Sequence, residues 1–120
     1  MYKRIYCELD FRDKGFQDMD QKKAIELTKK YIAFLNSSKE SILSAYLFGS
    51  YAKDKFTEDS DIDLAVVIKD LKNKYEKQVK LMILGSKFDS RIEPHPFDVK
   101  DFDASNPFAN EIMKTGIKIL

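Results

Sequence analysis

Residues 47–68 read LFGSYAKDKFTEDSDIDLAVVI, and this stretch decides both the fold and the candidate site. A first apolar run ends at Gly49-Ser50, and ten residues later the acids Asp61 and Asp63 open a second apolar run. Short runs of Val, Ile and Leu bounded by glycine or charged residues are typical of buried β-strands. The stretch therefore predicts two neighbouring strands joined by a polar surface loop.

The pattern outside this stretch predicts a small α+β (α/β) fold, in which a mixed β-sheet has helices packed on one face. Apolar residues recur at helical spacing in three segments, which predicts helices over 20–35, 70–84 and 107–115. The predicted N-caps of these helices are Asp20, Asp70 and Asn106. The predicted strands are 41–48, 61–68 and 88–93, with a return to the sheet over 117–120. We expect the third strand to end at Pro94 and Pro96, because proline disrupts strand pairing.

Length and charge narrow the class of protein. The chain has 120 residues, which predicts one domain over 1–120, with an irregular N-terminal arm at 1–19. Lys and Arg number 21 and Asp and Glu number 20, so a net charge of +1 argues against general nucleic-acid binding. The apolar runs are far shorter than the roughly 20 residues that a membrane span needs. Cys7 is the single cysteine, which favours a reducing, cytoplasmic location.

The acidic pair predicts a metal site. Alternate residues of a strand share a face, so Asp61 and Asp63 point the same way with Cα atoms roughly 6–7 Å apart. At an effective dielectric constant near 20, two like charges at that distance repel by about 2–3 kcal/mol. A divalent cation between the two carboxylates turns this repulsion into attraction, and hard oxygen ligands suit Mg²⁺.

The Gly-Ser bend predicts an anion site facing these acids. Gly49 allows a sharp turn and a close approach of a ligand to the backbone. A helix that begins at Ser50 would present its N–H groups and the serine hydroxyl to a phosphate. A phosphate there, with Mg²⁺ on the facing acids, is an arrangement that holds a nucleoside triphosphate for attack.

Three other kinds of site do not fit the residues. An EF-hand at Asp59, Asp61 and Asp63 fails because Leu64 stands where that loop needs glycine. A Walker P-loop fails because the chain has no Gly-Lys-Ser/Thr sequence. Ser50 lacks the Gly-x-Ser-x-Gly setting of an acyl nucleophile.

The segment resembles the signature of the DNA polymerase beta-like nucleotidyltransferase superfamily, which is Gly-Ser, ten residues and Asp-x-Asp. It is most similar to the minimal nucleotidyltransferases, whose GSxARG and SDIDL motifs read GSYAKD and SDIDL here. The motif covers the 16 residues from Gly49 to Leu64. The order of predicted helices and strands also agrees, so the resemblance spans residues 20–120.

The resemblance implies an enzyme that transfers a nucleoside monophosphate, AMP from ATP, to an acceptor hydroxyl with release of pyrophosphate. It implies that Asp61 and Asp63 hold two Mg²⁺ ions, and that Gly49, Ser50 and Lys53 bind the nucleotide. It also implies a third carboxylate on the next strand, as general base or additional metal ligand. Asp89 is the first candidate and Glu93 the second.

The resemblance also implies something about partners. Minimal members of the family are often paired with a small helical HEPN-type protein in a toxin–antitoxin system. In that setting the transferase resembles an antitoxin that adenylylates its partner. We therefore expect a homo- or hetero-oligomer, in which the acceptor is bound at an interface or is another protein.

Two residues depart from the family pattern. Lys53 replaces arginine, which keeps the charge and loses bidentate geometry. Asp54 replaces glycine and adds a negative charge near the expected phosphate site. The alternative interpretation is therefore a catalytically weak or inactive module that neutralises a partner protein by contact.

Overall fold

The computed structural model describes residues 19–120, so the predicted arm over 1–19 lies outside the described residues except for Met19. The strands form a mixed sheet in the order β3-β2-β1-β4 and are β1 (Ile42–Phe48), β2 (Ile62–Ile68), β3 (Ile92–Asp98) and β4 (Ile117–Lys118). The helices are α1 (Gln21–Ser37), α2 (Lys74–Gly85) and α3 (Pro107–Thr115), and a 3-10 turn covers Val99–Asp101. The predicted mixed α+β class is confirmed, and β4 is the predicted return to the sheet.

The pairing of the strands places the motif residues side by side. Strands β1 and β2 are antiparallel, and Phe48 at the end of β1 pairs with Asp63 near the start of β2. Strands β2 and β3 are parallel, and Asp63 in turn pairs with Glu93. One end of the sheet therefore gathers the Gly-Ser bend, the acidic pair and an acid of β3.

The alternation of side chains along the strands creates two buried layers. Leu47, Leu64 and Val66 lie on the face covered by α1 and α2. Ala65 lies on the opposite face, in a cluster with Ile112 of α3 and Phe97. The structure therefore corrects one detail of the predicted fold, since α3 packs on the face opposite to the other two helices. The apolar residues along one edge of α3 predict that this edge is buried, but they do not predict which face of the sheet it covers.

The helix starts follow their capping residues. Asp20 caps α1 by accepting a hydrogen bond from Lys23 N at 2.8 Å, as predicted. The prediction of Asp70 as the cap of α2 is wrong, because Asn73 accepts from Glu76 N at 3.0 Å. Asp70 has φ +57°, outside the extended backbone that an N-cap adopts. Over residues 19–120, no helix has the length and apolar content that a membrane crossing requires.

The third strand runs later in the chain than predicted. It begins at Ile92 and continues through Pro94 and Pro96 to Asp98. This is possible because β3 is an edge strand, where a missing N–H on the outer side breaks no pairing. On the outer side, Gln78 Nε2 of α2 donates to the Pro94 carbonyl at 2.9 Å. The shift moves Glu93 from the predicted end of the strand to its beginning.

Candidate active site

Three carboxylates meet at one end of the sheet. Asp61 lies directly before β2, Asp63 is the second residue of β2, and Glu93 is the second residue of β3. A hydrogen bond with the Asp61 carboxyl, burial, and the negative charges of Asp61 and Asp63 raise the pKa of Glu93, although His95 acts in the opposite direction. The carboxyl group of Glu93 therefore lies close to the negative charges of Asp61 and Asp63.

Gly49 brings the backbone of the bend directly against this acidic group. Its φ is +77°, in the left-handed region that favours glycine. A Cβ atom on Gly49 would lie 2.5 Å from Asp63 Oδ2 and 3.4 Å from Asp63 Cγ. Only glycine fits at this position without moving the carboxylate, so the Gly49 bend lies directly against Asp63.

The segment after Gly49 forms hydrogen-bonded turns rather than the helix considered above. Lys53 N donates to Gly49 O at 3.1 Å, and Lys55 N donates to Ser50 O at 2.9 Å. Ser50 is half-buried and Lys53 is exposed. An anion bound here would therefore meet a compact turn with a lysine side chain, and not a helix N-terminus.

Two contacts hold this turn in place. Gln21 Nε2, at the start of α1, donates to the carbonyls of Tyr51 and Ala52 at 3.0 and 3.2 Å. The ring of Tyr51, fully buried, stacks on Phe56 with centroids 4.4 Å apart. The turn is thus fixed to the core, so the position of Gly49 relative to Asp63 does not depend on the loop alone.

Asp54 occupies a backbone position suited to glycine. Its φ is +58°, and its side chain is exposed. Asp is among the residues that tolerate the left-handed region best after glycine. The replacement of the family glycine by Asp54 therefore preserves the turn while adding a negative charge at its surface.

The structure separates the two candidates for the third carboxylate. Asp89 lies in the turn before β3 and binds Arg91 through both oxygens, with Arg91 Nε and Nη2 at 2.9 and 2.8 Å. Its oxygen Oδ1 also accepts from Arg91 N at 2.9 Å. Because β3 begins only at Ile92, Asp89 precedes the residues that pair with β2. The structure brings Glu93, and not Asp89, to Asp61 and Asp63.

His95 also belongs to this site, although the sequence analysis assigns it no role. Its Nε2 lies 3.2 Å from Asp63 Oδ1, and ligand atoms of Asp63, Glu93 and His95 all lie within 4.8 Å of one another. The signal in the sequence is the period of two from Glu93, which holds only if the strand continues through Pro94. Pro94 and Pro96 made the sequence predict an end of the strand at this point.

The donor set fits a divalent cation. The hydrogen bond with Asp61, burial and the negative charges of Asp61 and Asp63 raise the pKa of Glu93, and a cation bound among these carboxylates would offset that repulsion. Carboxylate oxygens are the ligands that Mg²⁺ prefers, usually completed by water and substrate phosphates. Asp61, Asp63 and Glu93 are therefore the residues that would hold such an ion.

Comparison with known proteins shows the family of this chain. The family described as "Polymerase beta, Nucleotidyltransferase" matches residues 29–120. A protein of Methanocaldococcus jannaschii named "Putative protein adenylyltransferase" is 28% identical over 99 residues, 79% of this chain and 97% of that protein. The crystal structure of a "putative nucleotidyltransferase" from Sulfolobus solfataricus has the same fold, with TM-score 0.58, 23% identity and coverage of 82% of this chain and 80% of that one. Since the family match covers the whole sheet and every acid of the site, the chain belongs to the polymerase beta nucleotidyltransferase family.

Proposed function

We propose that the protein transfers AMP from ATP to an acceptor hydroxyl. In this reaction the acceptor oxygen forms a bond to the α-phosphorus, the bond from that phosphorus to the β-phosphate oxygen breaks, and pyrophosphate leaves. The observation that carries the proposal is the convergence of Asp61, Asp63 and Glu93 beside the Gly49 bend. A set of carboxylates facing a close-approach glycine is suited to a metal-bound triphosphate.

Each residue has a proposed role in that reaction. Asp61 and Asp63 would hold Mg²⁺, and the family resemblance implies two ions. The bound metal would neutralise the negative charge of the phosphates. Glu93 completes this group and accepts or orients the proton of the acceptor hydroxyl. The Gly49 backbone and Ser50 bind the triphosphate, and Lys53 adds positive charge from the same turn. Asp89 has no proposed part in the chemistry, because both its oxygens bind Arg91.

We infer that the acceptor is a protein hydroxyl. The support is the name of the Methanocaldococcus jannaschii relative, a protein adenylyltransferase by its printed description, at 28% identity. A cytoplasmic location, an oligomeric state and an antitoxin role with a helical HEPN-type partner stay predictions. The alternative of an inactive contact module rests on the charge of Asp54, whose φ of +58° is a backbone conformation that glycine also adopts.

Labelled nucleotides test the proposed reaction. With Mg²⁺ and candidate protein acceptors, ATP labelled on the α-phosphate should label the acceptor, and ATP labelled on the γ-phosphate should not. Asp61→Asn and Asp63→Asn should abolish labelling, because each removes a metal-binding charge. Asp59→Asn makes the same chemical change at an exposed position of the preceding loop and should keep full activity. Label arriving from the γ-phosphate would show a different reaction, and labelling by both site variants would contradict the assigned roles.

A further inference from the structure

His95 gives the acidic group a nitrogen donor. Its Nε2 lies 3.2 Å from Asp63 Oδ1, and the side chains of both residues are about one-quarter exposed, 25% and 26%. His95 and Glu93 lie on the same face of β3, two residues apart. The imidazole therefore lies beside the two carboxylates on one face of the sheet and is partly accessible to solvent.

The surroundings of His95 fix the direction of its ring. In the parallel register, His95 pairs with Ala65, a residue with a small side chain, and the imidazole Nε2 lies 3.2 Å from Asp63 Oδ1. Phe48 meets the imidazole edge to face at a centroid distance of 5.1 Å. Phe48 is itself held by Phe108 of α3, with centroids 5.6 Å apart. Because aromatic packing holds the ring, the nitrogen stays directed at the carboxylate.

The spacing of the donors suits direct coordination of one ion. Ligand atoms lie about 2.0–2.2 Å from a transition ion, so two of them at roughly a right angle are about 3 Å apart. The 3.2 Å between Asp63 Oδ1 and His95 Nε2 is close to that value, and the donors of Asp63, Glu93 and His95 lie within 4.8 Å of one another. Imidazole suits transition ions, whereas Mg²⁺ prefers oxygen alone.

We propose that Asp63, Glu93 and His95 form a mixed oxygen–nitrogen site that binds a divalent transition ion such as Mn²⁺, with His95 Nε2 as a ligand. The inference rests on the proposed function only in sharing Asp63 and Glu93 with the nucleotide site. It predicts a larger preference for Mn²⁺ over Mg²⁺ than the three carboxylates alone would give.

The test uses the full chain, without a histidine tag, and the metal alone. His95 is the single histidine of the sequence, so a histidine nitrogen signal can come from no other residue. Pulsed electron paramagnetic resonance of the Mn²⁺-loaded protein should show coupling to an imidazole ¹⁴N, which His95→Gln should abolish. Calorimetric titration should show that His95→Gln lowers Mn²⁺ affinity at least tenfold and Mg²⁺ affinity less than threefold. Far-ultraviolet circular dichroism checks that the variant is folded.

Three outcomes would overturn the inference. Bound Mn²⁺ without ¹⁴N coupling would show that His95 only positions Asp63 by a hydrogen bond. An equal loss of Mn²⁺ and Mg²⁺ affinity in His95→Gln would lead to the same conclusion. Absence of Mn²⁺ binding to the wild-type chain would remove the site altogether. Because this test contains no nucleotide, these outcomes leave Mg²⁺-dependent AMP transfer, measured separately, free to stand or fail.

Discussion

The contact between Gly49 and Asp63 explains why this chain needs glycine at the start of its motif. The bend needs a positive φ, and the space above its Cα is already filled by the Asp63 carboxylate. The sequence predicts the first requirement from the turn and the second only indirectly, through the ten-residue spacing. A Cβ atom at this position would lie 2.5 Å from Asp63 Oδ2, so the lack of space adds to the requirement for a positive φ.

Replacing Gly49 should therefore damage both stability and binding. Gly49→Ala places a methyl group against Asp63 Oδ2 at a positive φ, so we expect a loss of about 1–3 kcal/mol in the free energy of unfolding. We also expect at least a tenfold loss of Mg²⁺-dependent nucleotide affinity, because Asp63 must move. Urea unfolding and nucleotide titration measure the two effects. A variant with wild-type stability and affinity would contradict the steric interpretation.

Asp54→Gly is the matched substitution in the same turn, and we expect the opposite sign. Asp54 has φ +58°, which glycine adopts more easily, so unfolding should require about 0.5–1 kcal/mol more free energy. Removing the negative charge should also raise nucleotide affinity a few-fold. Asp54→Ala removes the same charge without relieving the backbone, and comparison of the two variants separates the effects. Lower stability of Asp54→Gly than of Asp54→Ala would show that the turn is not strained.

The site residues differ in how far the sequence could identify them. Asp61 and Asp63 follow from the alternation of a strand and the motif spacing. The sequence could not decide whether Glu93 or Asp89 is the third carboxylate. Both residues precede the prolines, and a spacing of four residues places them on the same face of a strand. The course of β3, which begins at Ile92 and continues through Pro94 and Pro96, distinguishes the two acids. That course is possible because β3 is an edge strand. No local pattern states which strand lies at the edge.

At the scale of elements, Glu40 ties the segment after α1 to α2. Its carboxylate, 5% exposed, binds Lys77 Nζ through Oε1 and Lys80 Nζ through Oε2, each at 2.9 Å. Burial by itself raises the pKa of Glu40, but the hydrogen bonds and charges of the two lysines outweigh it and lower the pKa below its usual value. The lysines are one turn apart on α2, so one acid fixes the position of that helix.

This tie predicts a pH-dependent contribution to stability. A carboxylate with a lowered pKa stabilises the fold above about pH 4.5, and the contribution is lost as the pH falls through the folded-state value. Glu40→Gln should therefore lower the free energy of unfolding by up to about 1 kcal/mol at pH 7, since both lysines are partly exposed. The difference from wild type should shrink at pH 3. Urea unfolding at both pH values measures it.

A control for this prediction is Glu111→Gln, which makes the same change at an exposed position of α3. It should alter stability by less than about 0.5 kcal/mol at either pH. If Glu40→Gln costs as much at pH 3 as at pH 7, the contribution of Glu40 is one of packing and not of charge.

Elements with strong local signals were predicted well, and those set by distant contacts were not. Strands β1 and β2 and the caps at Asp20 and Asn106 follow from short-range patterns, and the structure confirms them. The burial of α3 against Ala65 and Phe97 on the far face depends on how the chain crosses the sheet end. That choice is made by three-dimensional packing, which the period of one helix does not contain.

At the scale of the whole molecule, the site is assembled from three parts of the chain. The bend after β1, the start of β2 and the start of β3 meet only because β2 pairs antiparallel with β1 and parallel with β3. The helices support this arrangement by direct hydrogen bonds, from Gln21 to the bend and from Gln78 to β3. The geometry of the proposed nucleotide site therefore depends on the whole fold, and not on the motif alone.

The most direct measurement is the metal dependence of nucleotide binding. A non-hydrolysable ATP analogue, with a methylene group between the α- and β-phosphates, is titrated into the protein in Mg²⁺ and in EDTA. Wild type should bind the analogue in Mg²⁺ and should bind it at least tenfold more weakly in EDTA. The folded variants Asp63→Asn and Glu93→Gln should show the same tenfold loss of affinity in Mg²⁺. Asp59→Asn should bind the analogue with wild-type affinity. Equal affinity in Mg²⁺ and EDTA, or undiminished binding by Asp63→Asn and Glu93→Gln, would contradict a carboxylate-held metal at the nucleotide site.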